Sequence, residues 1–286
     1  MLRRRAEMAR ERARLSASRA ARHDGSAVTA DPWQQQLHER FSDVYRRAEA
    51  GHRMTAELQD LIATQMEDRQ NRSGGPSALP AVMQVVAARL RTSSAVVALS
   101  GEHQPMALTA ASDATARRAH DLELVLAEGP ATEAGHGSLV VAAGGVLLDR
   151  WPRYGPAAAD LGIHGVSAAP LGTRDAVLGT LCAYDATPAT VPAGAATAIR
   201  MMADALTQVL LGVADPADPD GQLRILDYLD GSDSQSVVHQ AAGMVSVQCG
   251  CRIDDALDLL AARAFASGRP VRDIAQEVLD GGTVLQ

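Results

Sequence analysis

The sequence predicts an α+β fold, an antiparallel sheet with flanking helices, followed by a small all-α unit of three helices. Two patterns carry this reading. Between residues 76 and 211, short β-rich runs and helical stretches follow in the order helix, hairpin, helix, strands, helix. Across 222–282, apolar residues recur in three short stripes at helical spacing. Both units have material for a core, since 47% of the 286 residues are hydrophobic. Aromatics are only 3%, so those cores must rest on Ala, Val, Leu and Met.

Taken in order, residues 1–30 are rich in Arg, Ala and Ser and read as a loose, flexible helical segment with a linker at His23-Asp24-Gly25-Ser26. Residues 31–72 turn helical. Leu37, Phe41, Val44 and Ala48 recur at spacings of four, three and four, and Leu58, Ile62 and Gln65 continue the register. This stripe predicts a coiled-coil seam between two copies of the chain, with a kink or break expected at Gly51. Asn71 to Pro76 ends the helix. A helix over Ala81–Leu90 leads into strands at Ser94–Ser100 and Met106–Ala111, joined by a turn at 101–104. Asp113–Ala127 is helical and is halted by Glu128-Gly129-Pro130. Ser138–Leu148, split by Gly144-Gly145, predicts a short strand pair. A small helix at Ala157–Leu161 precedes strands at Ile163–Leu171 and Ala176–Tyr184, and a helix over Ala193–Leu211 closes the domain. A solvent-accessible cavity is expected between the sheet and its loops.

In the last unit, Val238, Ala241, Met244 and Val245 share one face of a helix that Gly250 ends. Ala256, Leu257, Leu260 and Ala264 line a second helix, and Pro270 opens a third that holds Val271, Ile274, Ala275 and Val278. Three helices of this length bury little surface alone, so they are expected to dock on a preceding helix containing Leu223, Ile225, Leu226 and Leu229.

Charge and motif content exclude several functions. Residues 1–24 hold eight arginines against Glu7, Glu11 and Asp24, a basic start on a chain whose total charge is −7. Cys249-x-Cys251 is too tight for a metal pair and has no second pair near it, so reduced structural thiols are expected at Cys182, Cys249 and Cys251. No run approaches the ~20 apolar residues of a membrane helix. The basic start lacks the apolar stretch of a secretory signal. A phosphate-cradling glycine loop, a nucleophile elbow and a metal-spaced acid and histidine cluster are all missing from the sequence. A cytoplasmic protein without catalytic activity or cofactor is the expectation.

Several segments resemble a known pair of domains. Glu128-Gly129-Pro130, Asp149-Arg150-Trp151-Pro152-Arg153-Tyr154, Gly165 to Leu171 and Leu178-Gly179-Thr180-Leu181 resemble, in this order, the actinobacterial GAF domains that precede ANTAR modules. The resemblance spans about 76–211 and implies a sensory domain with a small-molecule or protein input. Relatives often place Cys after the E-G-P turn, where this chain has Ala131, and a chain without lysine cannot carry the N-K-x-F-D-E motif of cyclic-nucleotide-binding GAF domains.

The run from His239 to Gln248, then Gly250, Ile253 to Leu257, Ala264 to Pro270 and Ile274 to Val278, is similar to the ANTAR pattern across about 222–282. That resemblance implies a dimeric regulator of transcription antitermination that binds paired hairpins in leader RNA. It places His239, Gln240, Ala241, Ala242, Gly243, Arg252, Arg263, Arg269 and Arg272 at the RNA. Two departures matter: Ala242 replaces the family's lysine, and Ala261 replaces a common arginine. Residues 235–286 hold four arginines against six carboxylates. Binding RNA requires cations at phosphates, so an alternative is a degenerate module that acts in protein interaction or dimerisation.

Overall fold

The structure is a computed structural model, and it describes residues 2–71, 79–101, 104–173, 176–187, 193–213, 233–267, 269 and 271–281. The chain divides into two compact units, residues 1–75 with 201–223 and residues 76–200 with 224–286.

The first unit contains a long helical hairpin, α1 (Leu2–Ala27) against α2 (Pro32–Asn71). The expected loose start is instead a continuous helix. Its buried stripe runs Ala6, Ala9, Ala13, Ser16, Ala20 at spacings of three and four, which lets the two backbones pack closely. Arg3 pairs with Glu67 at 2.5 Å and Arg10 pairs with Asp60, so two of the eight arginines in residues 1–24 tie α1 to α2. At the turn end, His23 meets His38 through their Nδ1 atoms at 2.9 Å and stacks on Phe41 and Tyr45. Helix α2 passes through Gly51 without a break. An interior glycine costs only about 1 kcal/mol relative to alanine, which packing against α1 readily offsets.

The second unit is built on five antiparallel strands in the order β2-β1-β5-β4-β3. They are β1 (Ser94–Gly101), β2 (Gln104–Ala111), β3 (Val140–Ala143), β4 (Gly165–Gly172) and β5 (Val177–Asp185). Alternation divides their side chains between two faces. Val96, Ala111, Val140, Val166, Ala168, Cys182 and Tyr184 point into one core. That core is covered by α4 (Ala114–Leu126), α5 (Pro130–Gly135), α6 (Gly145–Arg150) and α7 (Tyr154–Asp160). Helix α3 (Leu79–Leu90) packs on β1 and β2, and α8 (Ala195–Val213) follows the sheet in sequence. The strand pair expected at Ser138–Leu148 is one strand and a helix, because the chain turns out of extended conformation at Gly144 (φ +56°) and starts α6 at Gly145.

A cavity of about 310 Å³ does lie between sheet and connections, lined by Arg91, Ala143, Ser167, Asp185 and Ala198 among others. The helical unit follows as α9 (Asp233–Cys249), α10 (Ile253–Ser267) and α11 (Val271–Leu279). The helix expected around Leu223–Leu229, Pro270 and the 282–286 end lie outside the described residues.

Gly179 and Gly172 are the two tightest glycines of the sheet. A Cβ on Gly179 would lie 2.1 Å from the backbone oxygen of Ala98 on the neighbouring strand. Gly179→Ala is therefore expected to lower stability by about 1–3 kcal/mol, the usual range for forced overpacking, read as a drop in the thermal unfolding midpoint.

Candidate nucleic-acid interface

The three C-terminal helices close on one another through small and branched residues. α9 contributes Ala241, Ala242 and Val245; α10 contributes Ala256, Leu260 and Ala264; α11 contributes Val271, Ile274, Ala275 and Val278. Alanine at the contact points lets the helix axes approach closely. α9 ends at Gly250, where the Cys251 N–H donates back to the Ser246 carbonyl at 3.1 Å. At the head of α10 the backbone N–H of Arg252 donates to the Asp255 carboxylate at 3.2 Å, one half of a capping box. At its other end the Arg269 N–H donates to the Ala264 carbonyl at 3.1 Å.

The residues expected at the RNA divide by burial. Ala241 and Ala242 are fully buried in this core. Their side chains present nothing to a ligand, which corrects their expected placement; the reason is register, since both face α10 and α11 from the inner side of α9. Gly243 is half-buried, and a Cβ on it would meet nothing within 4 Å. Gln240 is exposed, and His239 lies on α9 with its side chain outside the description. Arg252, Arg263, Arg269 and Arg272 all reach solvent. Arg269 pairs with Glu277 at 2.6 Å. Exposed pairs of this kind are worth at most about 1 kcal/mol, so an incoming anion can compete for the guanidinium. Arg272 acts on Asp121 of α4: burial pushes that carboxyl up to about 6, and the Arg117 and Arg272 charges pull against it.

Residues 232–279 match the family model of the ANTAR domain. The helical trio is an ANTAR domain. No curated protein matches the chain. Among solved structures the chain is similar to a domain of a two-component sensor histidine kinase protein from Sinorhizobium meliloti 1021, at 14% identity and TM-score 0.37, over 50% of this chain and 94% of that one. It is also similar to the phycoerythrobilin-bound GAF domain of a cyanobacterial phytochrome, at 13% identity and TM-score 0.29, over 56% and 96%.

Sequence reasoning missed the surroundings of the ANTAR arginines. A groove of about 770 Å³ separates α10 and the start of α11 from α4 and α7, and Arg118 and Arg153 of the sheet domain line it together with Phe265 and Arg269. Phe265 is 64% exposed, and elsewhere on the ANTAR surface Val247 is 85% exposed. Nothing in the helical spacing marks Arg118 or Arg153 as neighbours of the trio, because the two segments are more than 100 residues away in sequence.

The Glu128-Gly129-Pro130 and Asp149–Tyr154 segments of the sheet domain form a frame that holds the helices in place. Glu128 accepts from the N–H groups of Arg153 and Tyr154 at 2.8 and 3.0 Å, capping α7. Glu133 takes Arg150 in a two-point pair, with 2.9 Å at Nε, and the guanidinium lies over the Trp151 ring. Trp151 and Tyr154 are buried and meet edge to face. Glu123 of α4, also buried, accepts from the N–H groups of Ala131 and Thr132 at 2.6 and 3.1 Å at the start of α5. A Cβ on Gly129 (φ +152°) would sit 2.4 Å from Glu123 Cγ, so the glycine of the E-G-P turn makes room for this carboxyl. Burial also drives the Cys182 thiol well above its ordinary range, leaving it an inert core group.

Burial pushes the Glu123 carboxyl up to about 8, although the two amide donors and the Tyr184 hydroxyl favour its charged form. Its ordinary value is 4.5, so between these limits the folded chain holds a proton that the unfolded chain has lost. Stability from this group is therefore complete below pH 4.5 and is lost as pH rises toward 8. Glu123→Gln, neutral throughout, is expected to gain stability relative to the parent progressively across that window in urea titrations at a series of pH values. A difference independent of pH would mean that the carboxyl is ionised in the folded protein.

Proposed function

We propose that the chain is a signal-responsive regulator of transcription termination, in which a GAF-type sheet domain receives an input and the ANTAR domain binds paired hairpins in leader RNA. The observation that carries the reading is the ANTAR match over 232–279 together with four arginines that all stay at the surface of the trio. The role is non-catalytic and suits the cytoplasm; among the described residues no helix is long and apolar enough to cross a membrane. The input is a small molecule or protein at the sheet domain, and the 310 Å³ cavity is a seat of suitable size for a small ligand. Two copies assemble through α2, where Leu37, Phe41 and Val44 remain exposed along one stripe of the hairpin.

With full-length protein and an RNA of two tandem hairpins, fluorescence anisotropy is expected to report binding that weakens steeply with salt. Arg252→Ala with Arg272→Ala should flatten the log–log salt slope by about 1.4 to 2, one contact per arginine. A dimer that ignores such RNA at every salt concentration would make the trio a protein-interaction element, the reading that its surplus of carboxylates favours. In light scattering the chain is expected to run as a dimer that Leu37→Glu with Phe41→Glu converts to a monomer. A mass unchanged by these substitutions discards the α2 seam.

A further inference from the structure

The groove between the ANTAR domain and the sheet domain has a chemistry that the ANTAR helices alone do not supply. Its wall is apolar, with Leu122 and Val125 from α4 and Val271 from α11. Phe265 is strongly exposed beside it, in a chain that has only two phenylalanines. Three guanidinium groups line the same space, Arg118 on α4, Arg153 before α7 and Arg269 before α11, against the carboxyls of Asp121 and Asp160. Arg118 and Arg153 are exposed, and neither forms an ion pair among the described residues. A flat apolar ring bordered by guanidinium groups, two of them outside any ion pair among the described residues, suits a ligand with flat faces and repeated negative charges. Unpaired nucleotides have both: every base offers a stacking face and every linkage a phosphate. The groove is an open trough of about 770 Å³, which a strand can cross, whereas small-molecule sites enclose most of their ligand.

We propose that this groove seats unpaired loop nucleotides of the bound RNA, a base stacking on Phe265 and the flanking phosphates meeting Arg118 and Arg153 as well as Arg269. The inference rests on the RNA-binding reading above and extends it: the sheet domain itself contributes to the interface. RNA affinity then depends on how α4 and α7 lie against α10 and α11, so an input that moves either helix changes binding without touching the ANTAR arginines.

The test uses the full chain and a two-hairpin RNA carrying 2-aminopurine in its loops. Binding by the parent protein should change the 2-aminopurine emission through stacking. Phe265→Ala should abolish that change and weaken binding by about 5- to 150-fold, while Phe265→Tyr keeps both. Arg118→Ala with Arg153→Ala should flatten the salt slope by about 1.4, at roughly 0.7 per single-strand phosphate. These side chains are exposed, and unchanged unfolding midpoints confirm that the variants fold. If the parent binds RNA and the groove variants match it in affinity, emission and slope, the groove proposal fails while the RNA reading stands. If Phe265→Ala alters only the oligomeric mass, the groove is a protein contact and the proposal is overturned. A parent protein that ignores the RNA overturns the RNA reading and this extension together.

Discussion

Helix α4 is buried on two sides, and the arrangement of the second unit depends on it. Ala116, Ala119 and Leu126 belong to the core of the sheet domain, while Val125, less than a turn from Leu126, packs against the core of the ANTAR helices. A trio whose described core is ten residues, half of them alanine, gains little by burying only its own surfaces. Docking on α4 supplies apolar contact that the trio lacks by itself. The same helix carries Asp121 toward Arg272 and Arg118 into the groove, so one element sets both the packing and the electrostatics of the interface.

The sheet domain fixes α4 through a chain of polar contacts that runs from the buried Glu123 out to the exposed Glu133–Arg150 pair. Glu123 ties α4 to the start of α5, Glu128 ties the following turn to α7, and Glu133 ties α5 to the end of α6 through Arg150. Each of these carboxyls meets donors at a helix start or a guanidinium, and burial keeps the Glu123 carboxyl protonated up to about pH 8. His120 on the same helix is buried, both ring nitrogens lack a hydrogen-bond partner among the described residues, and burial lowers it to about 4, so it stays neutral. These contacts link α5, α6 and α7 to α4, and Val125 links α4 to the ANTAR helices.

The fold class and most element positions were legible in the sequence, because alternation and helical spacing act locally. The strand at Ser94, the helix after Asp113 and all three ANTAR helices follow from residue pattern alone. Two readings went astray for identifiable reasons. The Arg, Ala and Ser richness of residues 1–30 read as a loose segment, yet its alanines recur on one face and permit close packing on α2. The glycine pair at 144–145 looked like a hairpin turn, yet it starts α6. At the interface, motif position placed Ala241 and Ala242 at the ligand, whereas burial places them in the core. Arg118 and Arg153 could not be found from sequence, since only the folded chain brings α4 and the Trp151–Tyr154 turn beside Phe265.

The central claim is that the ANTAR helices and α4 act together as one RNA-responsive surface. Amide hydrogen exchange on the full-length chain, measured with and without a two-hairpin RNA, examines it directly. Slowed exchange in α10, α11 and α4 on addition of RNA is the expected result. Exchange unaltered across all three helices at saturating RNA would contradict the account.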